Sequence, residues 1–378
     1  MFLQIHTLVS YPASLLNRDD AGLAKRIPFG NATRLRVSSQ CLKRHWRDDL
    51  VEQLPDVPDG LRTRSFFTRA VLPKLVSGGM NPDTAAMLVE TLASVLIKGG
   101  VEKNGEMSQP VLFGWREAEY FTALAQEATS DAADAEAAKR ALTERLKSAE
   151  ERKNLSAMSK SAAGLTAALF GRFVTSDLLS RVDAPVHVAH AFTVHAANTE
   201  MDYFTVVDDL SRDDESGAAH ANQAELGAGV YYGHVAVDLP LLVSNLSGFA
   251  GKEWKTQPPD AARRVLEALV RAIASRSPGA KRGSTAPYSR ADLVLLEAGR
   301  QQPRTLANAF LEAMPPRGNL LRQAAHRLGE QVNRIDSMYG ATAEARALAT
   351  TLEVTLPGHT AAQPLDAAIR GALDAAWA

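Results

Sequence analysis

The amino-acid sequence predicts an α+β fold in which a large helical block interrupts a β-rich core. Apolar and polar residues alternate as in strands near the N-terminus and again after residue 182. Residues 61–181 are instead rich in the strong helix formers Ala, Leu, Glu, Lys and Arg. This order of elements favours one core with a helical insertion over two tandem domains.

The composition excludes several classes of protein. The 378 residues are 46 % hydrophobic and 22 % charged, which excludes an intrinsically disordered chain, a coiled coil and a histone-like polycation. Cys41 is the single cysteine, so no intrachain disulfide and no cysteine-based zinc ribbon is expected. The N-terminus lacks signal-peptide features and no long apolar run is present, which predicts a cytoplasmic protein outside the membrane.

The N-terminal part of the chain predicts two strands and a helix. Alternation over residues 2–9 predicts a strand, and a loop is expected from about Ser10 to Thr33. Residues 34–37 predict a short strand that carries Arg34 and Arg36 on one face. Ser38 or Ser39 can cap the helix that follows. The stretch 54–60, which contains Pro and Gly, marks a boundary.

Helices are expected next, followed by a return to strands. The helical block contains predicted helices at 72–76, 84–97, 117–128 and 132–153. Later patterns predict strands at 186–194, 203–207, 230–237 and 291–297, and a helix at 260–276. The polar stretch 210–229 is typical of a long protruding hairpin or loop. A loop rich in Gly, Lys and Arg is expected at 277–287, and most of the remaining residues are predicted to be helical.

Charge is distributed unevenly, although Lys and Arg number 42 and Asp and Glu number 43. Residues 18–47 carry eight Lys and Arg against two Asp, and residues 263–290 carry seven against one Glu. Residues 199–225 carry eight acids against one Arg. Two basic segments from distant parts of one chain, each next to predicted core strands, indicate a shared anionic ligand such as nucleic acid.

Motifs for other chemistry are weak. His187, His190 and His195 cannot all ligate one ion from a strand, because His190 lies on the opposite face. Asp19 and Asp20 are candidates for a metal ligand or a general base, but the simpler interpretation is that they brace their loop. No Walker A or dinucleotide-binding sequence is present. We therefore expect neither a catalytic residue nor a metal or other cofactor.

Several blocks of sequence resemble the CasC-type backbone subunit of Cascade, the RNA-guided surveillance complex of type I-E CRISPR systems. The N-terminal blocks are Ser14-Leu15-Leu16-Asn17-Arg18-Asp19-Asp20, Phe29-Gly30 and Arg34-Leu35-Arg36-Val37-Ser38-Ser39-Gln40-Cys41-Leu42-Lys43-Arg44. Later blocks occur in the same order as in the family, at 187–195, 202–210, 278–281, 291–294 and 306–310. The resemblance spans residues 1 to about 312, whereas 60–165 matches only in character.

The resemblance implies a hand-like protein. An RRM-like (ferredoxin-like) palm would comprise residues 1–59 and 182–378, helical fingers 60–181, and a hairpin thumb 196–229. Copies would stack along CRISPR RNA, kink it at regular intervals and present it for pairing with target DNA. The implied partners are CRISPR RNA, target DNA, neighbouring copies of the chain and other Cascade subunits.

The resemblance and the basic segments together predict an RNA-binding set. Basic and polar residues of the palm would line a track for guide phosphates: Arg18, Lys25, Arg34, Arg36, Ser38, Gln40, Lys43 and Arg47. Gly279, Lys281 and Arg282 would add a loop against the same strand. Tyr203, Phe204 and Val207 would stack or wedge at the thumb, while Phe173 would either stack near the kinked nucleotide or pack in a core.

The thumb departs from the family pattern at two positions. Ala221 and Leu226 stand where the family often has Leu and an aromatic residue, so Tyr203 and Phe204 would carry the wedge. The acidic thumb would be repelled by phosphate, and we expect it to contact the basic surface of the adjacent subunit.

The alternative function is a metal-dependent ribonuclease that uses Asp19 or Asp20, since related backbone subunits cleave RNA with a loop acid. A His/Asp metal hydrolase is a third hypothesis.

Overall fold

A computed structural model of the chain describes residues 1–97, 102, 105–130, 132–174, 176, 178–179, 181–206, 220–354 and 361–378. The chain divides into two units. The first, called here the sheet unit, comprises Met1–Gln53, His187–Val237 and Arg263–Ala378. The second, called the helical unit, comprises Leu54–Val186 and Asp238–Ala262, so residues 238–262 belong with the helices rather than with the predicted palm.

The described residues contain eleven strands and twelve α-helices. The strands are β1 (Phe2–Ser14), β2 (Arg26–Phe29), β3 (Ala32–Val37), β4 (Gly60–Thr63), β5 (Val111–Gly114), β6 (Val186–Val188), β7 (Ala191–Thr193), β8 (Thr199–Val206), β9 (His220–Asp238), β10 (Ala291–Gly299) and β11 (Ala345–Thr350). The helices are α1 (Ser39–Gln53), α2 (Leu72–Ser77), α3 (Pro82–Leu96), α4 (Trp115–Ser130), α5 (Ala135–Lys147), α6 (Ala149–Ala162), α7 (Gly164–Phe170), α8 (Leu239–Ser247), α9 (Asp260–Ser275), α10 (Arg282–Thr285), α11 (Leu320–Tyr339) and α12 (Leu365–Trp377).

Among the described residues, nine strands form one sheet. Their order is β11-β10-β1-β9-β7-β3-β2, and β6 and β8 also pair with β9. Neighbours such as β1 and β10, β7 and β9, and β8 and β9 run antiparallel. The fold is therefore a mixture of helices and antiparallel sheet, as the α+β prediction requires.

Both faces of the sheet are covered. Leu8 and Tyr232 pack on one face in a cluster that includes residues of α11. Their neighbours Val9 and Tyr231 pack on the other face against the N-terminal part of α1. Because adjacent residues of a strand point to opposite faces, burial of both members of each pair means that the sheet lies between two layers.

Several predicted elements differ from the structure, and the predicted strand at 186–194 is in fact the two short strands β6 and β7. The expected loop at 10–33 contains the end of β1 and all of β2, which pairs with β3 as a hairpin. The predicted helix at 132–153 is broken at Ser148, whose side chain accepts a hydrogen bond from Glu151 N and so starts α6. Strand β11 lies in the region predicted to be helical, and its pairing with β10 decides its conformation despite its Ala-rich sequence.

Gly30 forms the tight turn between β2 and β3. Its φ is +61°, and a Cβ added there would overlap the carbonyl oxygen of Leu311. The turn is held to that segment by Asn31 N, which donates to Leu311 O at 3.2 Å. The Phe29-Gly30 block of the family pattern therefore has a structural role in this chain.

We expect Gly30→Ala to lower the free energy of unfolding by more than about 3 kcal/mol, because the methyl group adds a clash to backbone strain. Gly22→Ala is the matched control, since Gly22 also has a positive φ of +86° but has nothing within 4 Å of the added Cβ. The control should lose only about 1 kcal/mol. Urea unfolding of the two variants checks this, and equal losses would contradict the assignment.

A buried polar network joins β1, β9, β10 and β11. The fully buried Glu297 accepts hydrogen bonds from Arg304 at 2.6 and 2.8 Å and from Arg346 Nε at 2.7 Å. His6 donates from Nε2 to Glu297 at 3.2 Å, and its Nδ1 accepts from the Tyr232 hydroxyl at 2.9 Å. The ring of His234 stacks on His6 with centroids 4.7 Å apart. Burial disfavours the charged form of both histidine rings, although the contact of His6 with Glu297 opposes this effect.

This network predicts that the protein loses stability in mild acid. Burial lowers the pKa of His6, and burial together with the nearby positive charge of Arg304 lowers the pKa of His234 to about 3. As the pH falls below about 6.5, the ordinary pKa of histidine, protons therefore bind the unfolded chain more strongly than the folded chain. For His234 alone the free energy of unfolding should drop by about 2 kcal/mol from pH 7 to pH 5. Equal urea midpoints at the two pH values would contradict this prediction.

The helical unit has its own core. Phe66 stacks on Phe113 with ring centroids 4.2 Å apart, and Phe67 and Phe121 pack beside them. Helices α3, α4 and α5 contribute their apolar faces to the same cluster. In the part of the chain that the structure describes, none of the helices is long and apolar enough to cross a bilayer.

Candidate nucleic-acid interface

The two basic segments meet at an open cleft of about 540 Å³ in the sheet unit. Three stretches line it: the residues that follow β1, the start of α1 with the residue before it, and the segment before β10. The lining residues are Leu16, Asn17, Arg18, Ser38, Gln40, Cys41, Arg44, His45, Asp48, Gly279, Ala280 and Arg282. We call this site the basic cleft.

The wall formed by α1 presents the start of a helix to the cleft. Asn17 Oδ1 accepts a hydrogen bond from Ser38 N at 2.9 Å, and Ser38 Oγ accepts one from Cys41 N at 3.3 Å. Ser38 thus caps the helix, as predicted. A helix N-terminus carries partial positive charge and favours anions nearby.

The opposite wall is fixed to the rest of the unit by hydrogen bonds. Ala280 N donates to Leu15 O at 2.9 Å, which ties the loop to the end of β1. Arg282 Nη2 donates to His45 Nδ1 at 2.8 Å. Burial and the adjacent Arg282 charge lower the pKa of His45, so the ring stays a neutral acceptor. A Cβ at Gly279 would lie 2.9 Å from both Arg282 Cγ and Pro287 Cγ, which explains glycine there.

The cleft brings together five of the predicted RNA-binding residues: Arg18, Ser38, Gln40, Gly279 and Arg282. Lys25 is half-buried beside it, and its amide donates to Asn17 O at 2.9 Å. Lys43 and Arg47 are half-buried on α1 outside the lining. Burial and the neighbouring Arg47 lower the pKa of Lys43.

Arg34 does not belong to this surface, so that prediction is wrong. Its side chain is fully buried, and it donates to Thr193 O at 3.0 Å and to Phe310 O at 2.7 Å. The segment that contains Phe310 covers this face of β3, so the alternation that placed Arg34 in solvent was misleading. Arg36 is only half-buried, and it donates from Nε to Arg26 O at 3.2 Å.

The β8–β9 hairpin presents aromatic side chains to solvent. Tyr203 is 67 % exposed and Phe204 is 38 % exposed. Lys281 Nζ lies 5.3 Å from the centroid of the Phe204 ring, so a predicted loop residue contacts a predicted hairpin residue. Val207, the third residue predicted there, lies outside the described residues, as do Asp208 and Asp209.

One acid of the hairpin has a partner within the sheet unit. Glu225 is buried, accepts a hydrogen bond from Ala24 N at 2.7 Å and forms an ion pair with Arg26. Burial alone would raise the pKa of Glu225, but hydrogen bonds from Thr199, Ala24 and Arg26 hold it below its usual value. Glu225 therefore anchors the base of the hairpin and does not serve the contact expected with an adjacent subunit.

Phe173 lies in the helical unit and is 73 % exposed, which excludes the alternative of a core role. Gly171, with φ of +76°, turns the chain out of α7. Arg172 is buried and donates to Glu117 at 2.7 Å, so it fixes the segment while Phe173 points outward. The Arg181 guanidinium lies 5.0 Å from the Phe173 ring centroid.

The described residues proposed for metal or nucleophilic chemistry are not arranged as such a site. Asp19 Oδ1 accepts a hydrogen bond from Leu23 N at 2.9 Å and braces its turn, as the simpler interpretation predicts. His195 is buried, whereas His187 and His190 are exposed. Among the residues that the structure describes, no three His, Cys, Asp or Glu side chains come together as metal ligands would. Burial raises the pKa of the Cys41 thiol.

Asn17, Arg44, His45 and Asp48 also line the cleft, and none of them was among the RNA-binding residues predicted from the sequence. His45 follows Ser38 and Cys41 on one stripe of α1, at the spacing of residues that share a helix face. That stripe could have indicated that one polar face of α1 contacts the anionic ligand predicted from the two basic segments. The contact between His45 and Arg282 could not be inferred, because the two residues are far apart in the sequence.

Comparison with known proteins covers almost the whole chain. A family model described as CT1975-like protein matches residues 3–374. A chain of a solved structure, "CRISPR RNA-guided surveillance complex, pre-nicking", matches with a TM-score of 0.78 and 26 % identity, covering 98 % of this chain and 100 % of that one. A chain of a second structure, "CRISPR RNA-guided surveillance complex", shares the fold with a TM-score of 0.63 and 23 % identity, covering 100 % of both. No curated protein matches the chain.

Proposed function

Because the chain belongs to the CT1975-like protein family, we propose that it is a guide-RNA-binding structural subunit of a CRISPR RNA-guided surveillance complex. The resemblance to CasC-type subunits, inferred from blocks of sequence, is confirmed by the family match and by the solved structures. The finer proposal is a type I-E Cascade backbone subunit that acts in the cytoplasm. Its partners would be CRISPR RNA, target DNA, further copies of itself and other Cascade subunits.

The basic cleft is the observation that carries this proposal. Arg18, Arg44 and Arg282 supply positive charge from both walls, and the start of α1 adds backbone N–H groups. Such groups bind phosphate without reading the bases, which remain free to pair with a target strand. A subunit that holds a guide needs this combination.

An RRM-like palm is supported by the order of four strands. The strands β10-β1-β9-β7 lie side by side in that order, with α1 between β1 and β7 in sequence and α9 between β9 and β10. This is the connectivity of a β-α-β-β-α-β unit. Sheets of this kind commonly bind single-stranded RNA.

We assign the β8–β9 hairpin to the thumb that kinks the guide. Its exposed Tyr203 and Phe204 offer rings for stacking or wedging, and Lys281 beside Phe204 adds charge for the backbone. The same hairpin would contact the next copy along the guide, giving a head-to-tail assembly that does not close.

We propose that the subunit is not an enzyme. The ribonuclease alternative needs a free carboxylate, whereas Asp19 is used in its turn. Incubating the assembled particle with complementary RNA and Mg²⁺ tests this point. The RNA should remain intact, and cleavage that disappears in Asp20→Ala would favour the ribonuclease.

Copurification tests the main proposal. The chain is expressed with its guide RNA and partner subunits and separated by size at low and high salt. It should elute as one large ribonucleoprotein that contains several copies of the chain per guide. A monomer that leaves the RNA unbound at low salt would contradict the proposal.

A further inference from the structure

The helical unit contains a concave site of about 160 Å³ that shares no lining residue with the basic cleft. It is lined on one side by Trp115 and Arg116 at the start of α4. Pro58, Leu165 and Leu246 form much of the remaining surface. We call it the Trp115 pocket.

The walls of this pocket are hydrogen-bonded to one another. Leu165 N donates to Pro58 O at 3.0 Å, and both oxygens of Asp59 accept hydrogen bonds from Thr166, at 2.7 and 2.9 Å. Gly164, with φ of +84°, permits this approach, since a Cβ would overlap the backbone of Asp59. Hydrogen bonds between its own walls therefore fix the shape of the pocket.

Trp115 is the exposed member of the four tryptophans. It is 50 % exposed, whereas Trp46 and Trp254 are 3 % and 8 % exposed and Trp377 is half-buried. A half-exposed indole at the edge of a pocket with fixed walls presents a flat apolar face on which a planar ligand can stack.

The polar groups of the pocket fit a nucleotide. Arg116 is exposed, is the single charged residue of the lining, and supplies one positive charge with no acid beside it in the pocket. The Nδ2 group of Asn245 donates to Ala168 O at 3.1 Å and to Asp183 O at 2.9 Å. Because the Nδ2 group is used in these bonds, Asn245 can offer a ligand its side-chain carbonyl oxygen, which accepts a hydrogen bond from an exocyclic amino group of a base.

We propose that the Trp115 pocket binds one nucleobase of a single-stranded nucleic acid, stacked on the Trp115 ring, with the adjoining phosphate near Arg116. Aromatic rings combined with positive charge are the usual means of holding single strands without sequence readout. The Asn245 acceptor adds a preference for cytosine or adenine over thymine. This site goes beyond the guide-binding function and does not depend on it.

The emission of Trp115 itself provides the test. The full chain is titrated with short oligodeoxycytidylate, oligocytidylate and oligothymidylate while tryptophan fluorescence is recorded. The cytosine oligomers should quench the emission saturably, and thymidylate should quench it less. Comparison of the DNA and RNA arms identifies which strand the pocket prefers. Trp115→Phe should abolish the quenching, because the reporter is removed.

Binding of a dye-labelled oligodeoxycytidylate to the Arg282→Glu protein, in which the basic cleft is weakened, is followed by anisotropy and separates stacking from structure. Trp115→Leu should weaken binding by about 5- to 150-fold, whereas Trp115→Phe, which keeps a ring, should retain most of the affinity. Both variants should unfold at the same urea concentration as the parent, since Trp115 is half-exposed. A variant that binds guide RNA poorly at the basic cleft should still show quenching of the Trp115 fluorescence by the oligomers.

Two outcomes would overturn the proposal. One is an emission that no oligomer quenches saturably. The other is quenching that persists unchanged in Trp115→Phe, which would place the binding elsewhere. Saturable quenching by a proline-rich peptide with none by oligonucleotides would assign the pocket to a protein partner instead.

Discussion

Arg282→Glu is expected to weaken guide-RNA binding by about 10- to 150-fold, the range for loss of one charge-assisted hydrogen bond. Arg282 lines the basic cleft, and its guanidinium is held toward it by His45 Nδ1 at 2.8 Å. The substitution removes a cation and places an anion in the phosphate track. Each lost phosphate contact should reduce the salt dependence of log Kd by about one unit, which RNA titrations at several salt concentrations measure.

Arg300→Glu is the matched control for that experiment. Arg300 is 71 % exposed and follows the far end of β10, whereas Arg282 precedes the near end of that strand. The charge change is identical, so any general effect of net charge appears in both variants. Equal losses of affinity would show that total charge, and not the basic cleft, determines RNA binding.

Glu297→Gln is expected to lower the free energy of unfolding by about 3–5 kcal/mol, the cost of removing one partner of a buried ion pair. The substitution keeps the shape but removes the charge that Arg304, Arg346 and His6 surround. Arg304 then has no carboxylate partner among the described residues, and Arg346 keeps only Asp336. Urea denaturation of the purified chain measures the loss.

The control for Glu297 is Glu344→Gln. Glu344 is 49 % exposed and lies 3.7 Å from Arg300, so its ion pair is solvated. Its removal should cost less than about 1 kcal/mol. If Glu297→Gln unfolds at the same urea concentration as Glu344→Gln, the buried network does not stabilise the sheet unit as described.

The local elements of the fold could largely be predicted from the sequence. Alternation in β1, the Ser38 cap of α1 and the amphipathic α9 all have signals that lie within a few residues. Strand β11 had no such signal, because its conformation depends on pairing with β10 about fifty residues away. The break between α5 and α6 had a local signal in Ser148, but it was outweighed by the helix formers on either side.

The site shows the same division between local and distant determinants. The charge counts identified the two basic segments, and the structure brings Arg18 and Arg282 to one cleft. Arg34 was misassigned because strand alternation gives the face of a side chain and not what covers that face. The cover comes from Phe310, some 276 residues along the chain.

Protection of Cys41 tests most directly whether guide RNA occupies the basic cleft. Cys41 is the chain's single cysteine, is half-buried and lines the cleft. Because burial raises its pKa, labelling with a thiol reagent is followed at alkaline pH. Bound guide RNA should slow the labelling, and high salt, which releases RNA, should restore it. Labelling at the same rate in the free chain and in the RNA-bound chain would contradict the account.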